Sequence, residues 1–130
     1  MREILFKAKR IDNDKWIEGY LVKACQNTYP YGYEIIDKNG INYDELDCWQ
    51  PSFTSYEVDE KTICQYTGLT DKNGNKIWEN DIMKYEWDGK TRIDVIKYQS
   101  PIFTYDKSFR WSLYKDEVIG NVFDNPELVN

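Results

Sequence analysis

The stretch that most constrains this chain is Thr62 to Tyr85, TICQYTGLTDKNGNKIWENDIMKY. Thr62 to Tyr66 is β-branched and aromatic enough to read as a strand, and Thr67-Gly68-Leu69 and Asp71-Lys72-Asn73-Gly74 read as two turns. Lys76 to Tyr85, with Ile77, Ile82 and Met83, reads as the returning strand. The chain after this stretch reads as strands that complete a sheet around it, and the chain before it as a separate, smaller β unit.

The flanking sequence fits that expectation. Ile4 to Ile11 alternates Ile4, Phe6 and Ala8 with Leu5, Lys7 and Lys9, the pattern of a half-buried strand. Asp12-Asn13-Asp14 is a turn cluster, and Lys15 to Val22 returns as the second arm of a hairpin. Gly19 in mid-strand marks a bulge or a close approach, or is neutral. Tyr31 to Asp37 is β-like and Lys38-Asn39-Gly40 is a turn. Asp44 to Asp59 has weak periodicity and a central Pro51, and reads as a variable connection between two halves that holds a short strand or turn of helix and is too aromatic for a flexible linker. Beyond the central stretch, Asp88-Gly89 turns Met83–Trp87 back into Thr91–Tyr98. Ile102–Tyr105, Phe109–Tyr114 and Glu117–Phe123 then supply further strands, and Pro126–Val129 a single helical turn capped by Asp124 or Asn125. The fold class expected is all-β: residues 1–60 form an N-terminal β-hairpin unit with its acidic connection. Residues 61–130 form a small barrel, closed or nearly so, against which that unit packs.

With 130 residues the chain can bury a core without staples. Five Trp and eleven Tyr make ring packing a large part of that core. Net charge is −6. From Asn39 to Glu60 there is no Lys or Arg, but Asp44, Glu45, Asp47, Glu57, Asp59 and Glu60 are present, a surface that repels a phosphate backbone and argues against non-specific nucleic-acid binding. Cys25, Cys48 and Cys64 are too few and too scattered for a disulfide framework or zinc ribbon, and point to a reducing compartment. No apolar run reaches the ~20 residues of a membrane span, and the charged N-terminus is not a signal peptide, so a cytoplasmic protein is expected.

The chain has no histidine, which removes Ser-His-Asp and Cys-His catalysis and the commonest metal ligand. Glu79 and Asp81 flank Asn80. On a strand their carboxylates would share a face and could hold a divalent cation for hydrolysis, whereas in a turn Asn80 takes a positive φ and one carboxylate caps a backbone N–H. The turn is the stronger reading, because the local spacing supplies no further oxygen ligands. Asp71-Lys72-Asn73-Gly74-Asn75 echoes a calcium loop but has Asn73 at the third position and Ile82 where the closing Glu belongs, so it is a hairpin turn. Two surfaces suit binding, beside the plainer readings of a solvated acidic loop for the first and of ordinary strand alternation around an aromatic core for the second. The acidic stretch, with Asp44, Glu45, Asp47, Trp49 and Tyr56, suits a basic host protein. Trp87, Arg92, Lys97 and Trp111 interleave rings with cations and suit a single nucleic-acid strand. A homo-oligomer is expected from the surplus of rings and short strand edges.

Four groups of residues, taken in order, resemble the YopX family of phage and prophage proteins. They are Thr62-Ile63-Cys64-Gln65-Tyr66-Thr67-Gly68-Leu69, Asp71-Lys72-Asn73-Gly74, Ile77-Trp78-Glu79-Asn80-Asp81-Ile82 and Val118-Ile119-Gly120-Asn121-Val122-Phe123-Asp124-Asn125-Pro126-Glu127-Leu128. The opening Ile4-Leu5-Phe6-Lys7-Ala8-Lys9, with Trp16 and Gly19-Tyr20, resembles the family's start. Asn80 departs from the family's usual Gly, and is the next best residue for a left-handed turn. The resemblance implies an SH3-like barrel in the second half and a temperate phage of a Gram-positive host as source. It implies no established activity and gives no catalytic residues to carry over. A chain without imidazole and short of acid clusters is itself better suited to binding than to catalysis, so a non-enzymatic phage accessory protein without a cofactor is expected.

Overall fold

The computed structural model describes residues 3–23, 32–39, 42–44, 47–52, 54–99, 102–106 and 113–129. Twelve strands are described: β1 Phe6–Lys9, β2 Trp16–Lys23, β3 Tyr33–Asp37, β4 Asn42–Asp44, β5 Asp47–Ser52, β6 Ser55–Val58, β7 Cys64–Thr70, β8 Lys76–Trp78, β9 Asp81–Trp87, β10 Lys90–Gln99, β11 Ile102–Tyr105 and β12 Glu117–Asn121. Among the described residues the only helical segments are 3₁₀ turns at Glu60–Thr62, Leu113–Lys115 and Pro126–Val129. The protein is all-β, with antiparallel pairing throughout.

The chain divides into two compact units, Ile4–Gln65 and Tyr66–Asn130, the latter including Met1–Glu3. In the first, strands lie in the order β6-β3-β2-β1, with the start of β7 beyond β1 through Phe6↔Gln65 and Lys7↔Cys64. Strand alternation sends Ala8, Ile17, Ile35 and Val58 to one face, where they form the core with Phe6, Leu21, Tyr33, Tyr56 and Ile63 packed around them. The sheet curls. One isolated bridge, Arg10↔Val58, brings β6 toward the residue just after β1, supported by Ile11 N–H to Glu57 O (3.1 Å) and Asp59 N–H to Lys9 O (2.8 Å). A single bridge is not a ladder, so the sheet remains open.

In the second unit the order is β11-β10-β9-β12. β10 changes partner along its length: Lys90–Val95 pair with β9 and Ile96–Gln99 with β11. Ile77, Met83, Tyr85, Ile96, Phe103, Tyr105 and Leu113 form its core, with the Tyr85 and Tyr105 rings stacked 4.3 Å apart. β11 and β12 are edges and the sheet is open, so the closed barrel expected for residues 61–130 is not formed. The early and late halves of β10 each hold one neighbour, and among the described residues no ladder joins β11 to β12.

Three local expectations are corrected. Thr67-Gly68-Leu69 is not a turn. It lies within β7 as a bulge between Tyr66↔Trp78 and Thr70↔Lys76, with Gly68 at φ 86° and the Thr67 hydroxyl donating to Ile77 O at 2.8 Å. Asp44 to Asp59, expected as a connection holding a short strand or a turn of helix, holds two strands, β5 and β6, and β6 belongs to the first sheet as a ladder partner of β3 through Tyr33↔Val58 to Ile36↔Ser55. Leu113–Lys115, expected at the end of a strand, is a 3₁₀ turn; the remainder of that expected strand, from Phe109, lies outside the described residues.

Candidate functional site

The one end of the curled first sheet where β1 hands over to the Ile11–Asn13 turn is concave. A cleft of about 280 Å³ opens there, lined by Arg10, Lys15, Trp16, Ile17, Glu18, Asp37, Lys38, Asn39 and Tyr56. Its position follows from local sequence. Asp12 and Asn13 need a turn, Asn13 Oδ1 accepts from Lys15 N–H (3.0 Å), and Arg10 N–H to Lys15 O (2.9 Å) closes the loop. That register sets Lys9 opposite Trp16 and Lys7 opposite Glu18. The Lys7 and Lys9 ammonium groups lie 4.6 and 5.6 Å from the Trp16 ring centre.

Arg10 is the centre of the site. Its guanidinium carbon lies 3.8 Å from the centre of the Tyr56 ring, and its Nε and Nη2 grip Asp12 in a fork at 2.9 and 2.5 Å. That hydrogen bond raises the Arg10 pKa and lowers that of Asp12. Across the cleft, Lys38 Nζ meets Glu18 Oε2 at 3.4 Å. On the other side of Tyr56 a second hollow of about 310 Å³ is lined by Ile11, Asp12, Glu34, Ser55, Tyr56 and Glu57. Tyr56 is therefore a wall shared by a cation-bearing cleft and an acidic one.

The residues singled out from sequence are dispersed. Of the acidic surface, Tyr56 is in β6, half-buried beneath Arg10. Asp44 and Asp47 are ladder partners at the end of the β4–β5 hairpin and Trp49 lies in β5, while Glu45 lies outside the described residues. Of the second set, Trp87 is 61% exposed at the tip of the β9–β10 hairpin. Trp87 pairs with Lys90 and Tyr85 with Arg92, which places Trp87, Lys90 and Arg92 on one face. Lys97 is of opposite strand parity and donates to Asn80 Oδ1 at 2.7 Å, so it is not part of that face. Trp111 lies outside the described residues.

Of the carboxylates weighed as metal ligands, Asp81 and Asp71 are turn acceptors. Asn80 has φ 71° and Asp81 Oδ2 accepts from Trp78 N–H at 2.8 Å. Asp71 Oδ1 accepts from Asn73 and Asn75 N–H at 2.9 and 2.8 Å, and Oδ2 from Val118 N–H at 3.0 Å. Burial works to raise the Asp71 pKa, but those backbone donors outweigh it and the carboxyl is held below its ordinary value. Among the described residues no three Cys, Asp or Glu side chains gather as a metal cluster. Cys64 is a buried thiol in no disulfide, donating to Thr62 O at 3.2 Å; Cys25 and the Cys48 side chain lie outside the described residues.

Sequence reading missed Arg10, Lys15, Trp16 and Lys38 as a group. The signal was there: a hairpin turning at residues 12–14 must set the Lys7–Lys9 face against Trp16. The position of Tyr56 was not available, because it depends on the curl that carries β6 back to Arg10.

These features define an all-β protein of two open-sheet units, the first carrying a polar cleft walled by aromatic rings. The chain belongs to the YopX family, whose model, described as YopX protein, matches residues 6–130. It is similar over 100% of both chains to protein EF1440 from Enterococcus faecalis, known from its crystal structure, with 26% sequence identity and a TM-score of 0.67. No match is found among the curated proteins.

Proposed function

We propose that this chain is a phage or prophage accessory protein of the bacterial cytoplasm that works by binding rather than by catalysis, with the cleft at the end of the first sheet as its binding site. The observation that carries this reading is the cleft itself: two aromatic walls, a guanidinium fixed on one of them, and charged groups of both signs on the rim. Concave sites at the mouths of rolled sheets, with a few convergent polar groups, are where small β units take ligands. Two further features support a non-catalytic role. The chain has no histidine. The buried carboxylates Asp71, Asp81, Asp94 and Asp116 serve as acceptors for backbone N–H groups or, for Asp116, the Tyr105 hydroxyl.

The SH3-like roll implied for the second half belongs to the same proposal. Its support is the partner change along β10, the feature by which a long strand serves both sides of a small roll. A host protein is the proposed partner, and a homo-oligomer the proposed form. Affinity capture from host lysate tests the site: the double variant W16A/Y56A loses a partner that the wild type and a charge-reversed Asp44, Glu45, Asp47 variant both retain. Loss only on charge reversal moves the site to the β4–β5 hairpin. A second reading, single-stranded nucleic-acid binding, is favoured by the face Trp87, Lys90 and Arg92. Titration with oligonucleotides at low salt decides it: salt-sensitive quenching of Trp fluorescence that disappears in W87F supports it, and none ends it.

A further inference from the structure

Two of the chain's asparagines are followed by glycine, in Asn39-Gly40 and Asn73-Gly74. The second pair stands in the loop between β7 and β8. Both of its residues are exposed, and a Cβ built on Gly74 would meet nothing within 4 Å. With no side chain to shield it, a glycine leaves its amide nitrogen open to approach. The Asn73 side chain makes no hydrogen bond among the described residues; its backbone N–H alone is engaged, donating to Asp71 Oδ1 at 2.9 Å. By contrast, the side-chain oxygens of Asn13, Asn80, Asn121 and Asn125 each accept a hydrogen bond, Asn75 Nδ2 donates to Asp71, and none of these five precedes a glycine.

We infer that Asn73 is a modification site, at which the Gly74 nitrogen closes on the Asn73 side-chain carbonyl carbon and the bonds made by Asp71 set the rate. In that step hydroxide removes the proton of the Gly74 amide. The nitrogen then bonds to Asn73 Cγ, the bond from Cγ to the side-chain nitrogen breaks, and ammonia leaves with a proton taken from water. Water opens the resulting succinimide at either carbonyl, giving aspartate or isoaspartate, the second with an extra methylene in the main chain. Water is the only other reactant. The turn opposes this reaction. Gly74 N–H donates to Asp71 O at 3.0 Å and Asp71 N–H to Asn75 O at 2.8 Å, while the Asp71 carboxylate also accepts from Asn75 and Val118 N–H. The attacking nitrogen must first leave its acceptor, so the rate follows the fraction of molecules in which the loop is open. The product does not refit the closed loop. A carboxylate at position 73 sets like charge beside Asp71, and the added methylene of isoaspartate lengthens a loop whose span those bonds fix. Val118 N–H, at the start of β12, is thereby released from Asp71 Oδ2.

The test keeps the isotope-labelled full chain at mildly alkaline pH and follows its asparagine side-chain amides by NMR. Digestion with Asp-N, which cleaves at aspartate and not at isoaspartate, identifies the product. The Asn73 signal is expected to vanish before that of any hydrogen-bonded asparagine, but more slowly than in the urea-unfolded chain. Val118 amide exchange quickens in step. Asp71→Ala speeds the loss by about tenfold, the population shift that a hydrogen bond to a charged group is worth. Gly19→Ala, an alteration in the other unit, does not speed it. Should Asp71→Ala not fold, Asp71→Asn, which keeps one acceptor oxygen, gives a smaller acceleration. An Asn73 signal that never falls, or that outlasts a hydrogen-bonded asparagine, overturns the site. An unchanged rate in the Asp71 variant, or equal acceleration by Gly19→Ala, overturns control by Asp71. Unchanged Val118 exchange in the converted protein overturns the coupling to β12.

Discussion

Gly19 stands where β2 and β3 come closest. A Cβ added there would fall far inside the Ile36 carbonyl group, so the position admits glycine alone for reasons of space. Gly19→Ala is expected to cost about 1–3 kcal/mol as the backbone shifts to relieve the clash, measured as a lower urea midpoint with an unchanged slope. Asp71 is critical in another way. One carboxylate satisfies its own turn and the first residues of β12, and its pKa is held below the ordinary carboxylate value. Because the folded state ionises Asp71 more readily than the unfolded state does, its contribution is complete above the ordinary carboxylate pKa and is lost as pH falls through the lowered folded value. Stability followed from pH 7 downward should decline in the acid range, and Asp71→Asn should remove part of that decline while lowering stability at neutral pH by about 1–3 kcal/mol. An acid profile unchanged by the substitution would show that the carboxylate is not the group titrating.

At the scale of elements, the turns were the legible part. Asp14, Asn80 and Asp88 take φ of 60°, 71° and 54°, and Gly74 and Gly89 take 84° and 72°, at positions where Asp, Asn and Gly cluster in the sequence. Thr67-Gly68-Leu69 misled because a glycine at positive φ serves a bulge as well as a turn, and only the partner strand distinguishes them. β6 was obscured by the acidic residues around it, although Tyr56 and Val58 alternate with Ser55 and Glu57 at the period of a half-buried strand. The β9–β10 hairpin was legible as a hairpin but not as an exposed arm: every residue from Glu86 to Ile93 is exposed. Trp87→Ser is therefore expected to change stability by less than about 0.5 kcal/mol. A larger loss in a thermal melt would show that Trp87 is a packing residue and not a surface one.

For the molecule as a whole, composition narrowed the functions expected of it, but not the place where the proposed binding would occur. The acidic balance, the missing imidazole and the surplus of rings were all readable in the sequence. The cleft was not, since it requires Arg10 just after β1, Trp16 in β2, Lys38 just after β3 and Tyr56 in β6 to converge through the curl of one sheet. Three surfaces now compete: the cleft, the β4–β5 hairpin end with Asp44 and Asp47, and the β9–β10 arm with Trp87. Hydrogen exchange of the full chain, alone and with its captured partner, separates them most directly. Slowed exchange confined to residues 10–18, 37–39 and 55–58 is the expected result. Slowed exchange at residues 44–47 or 86–93, with the cleft unchanged, would contradict it.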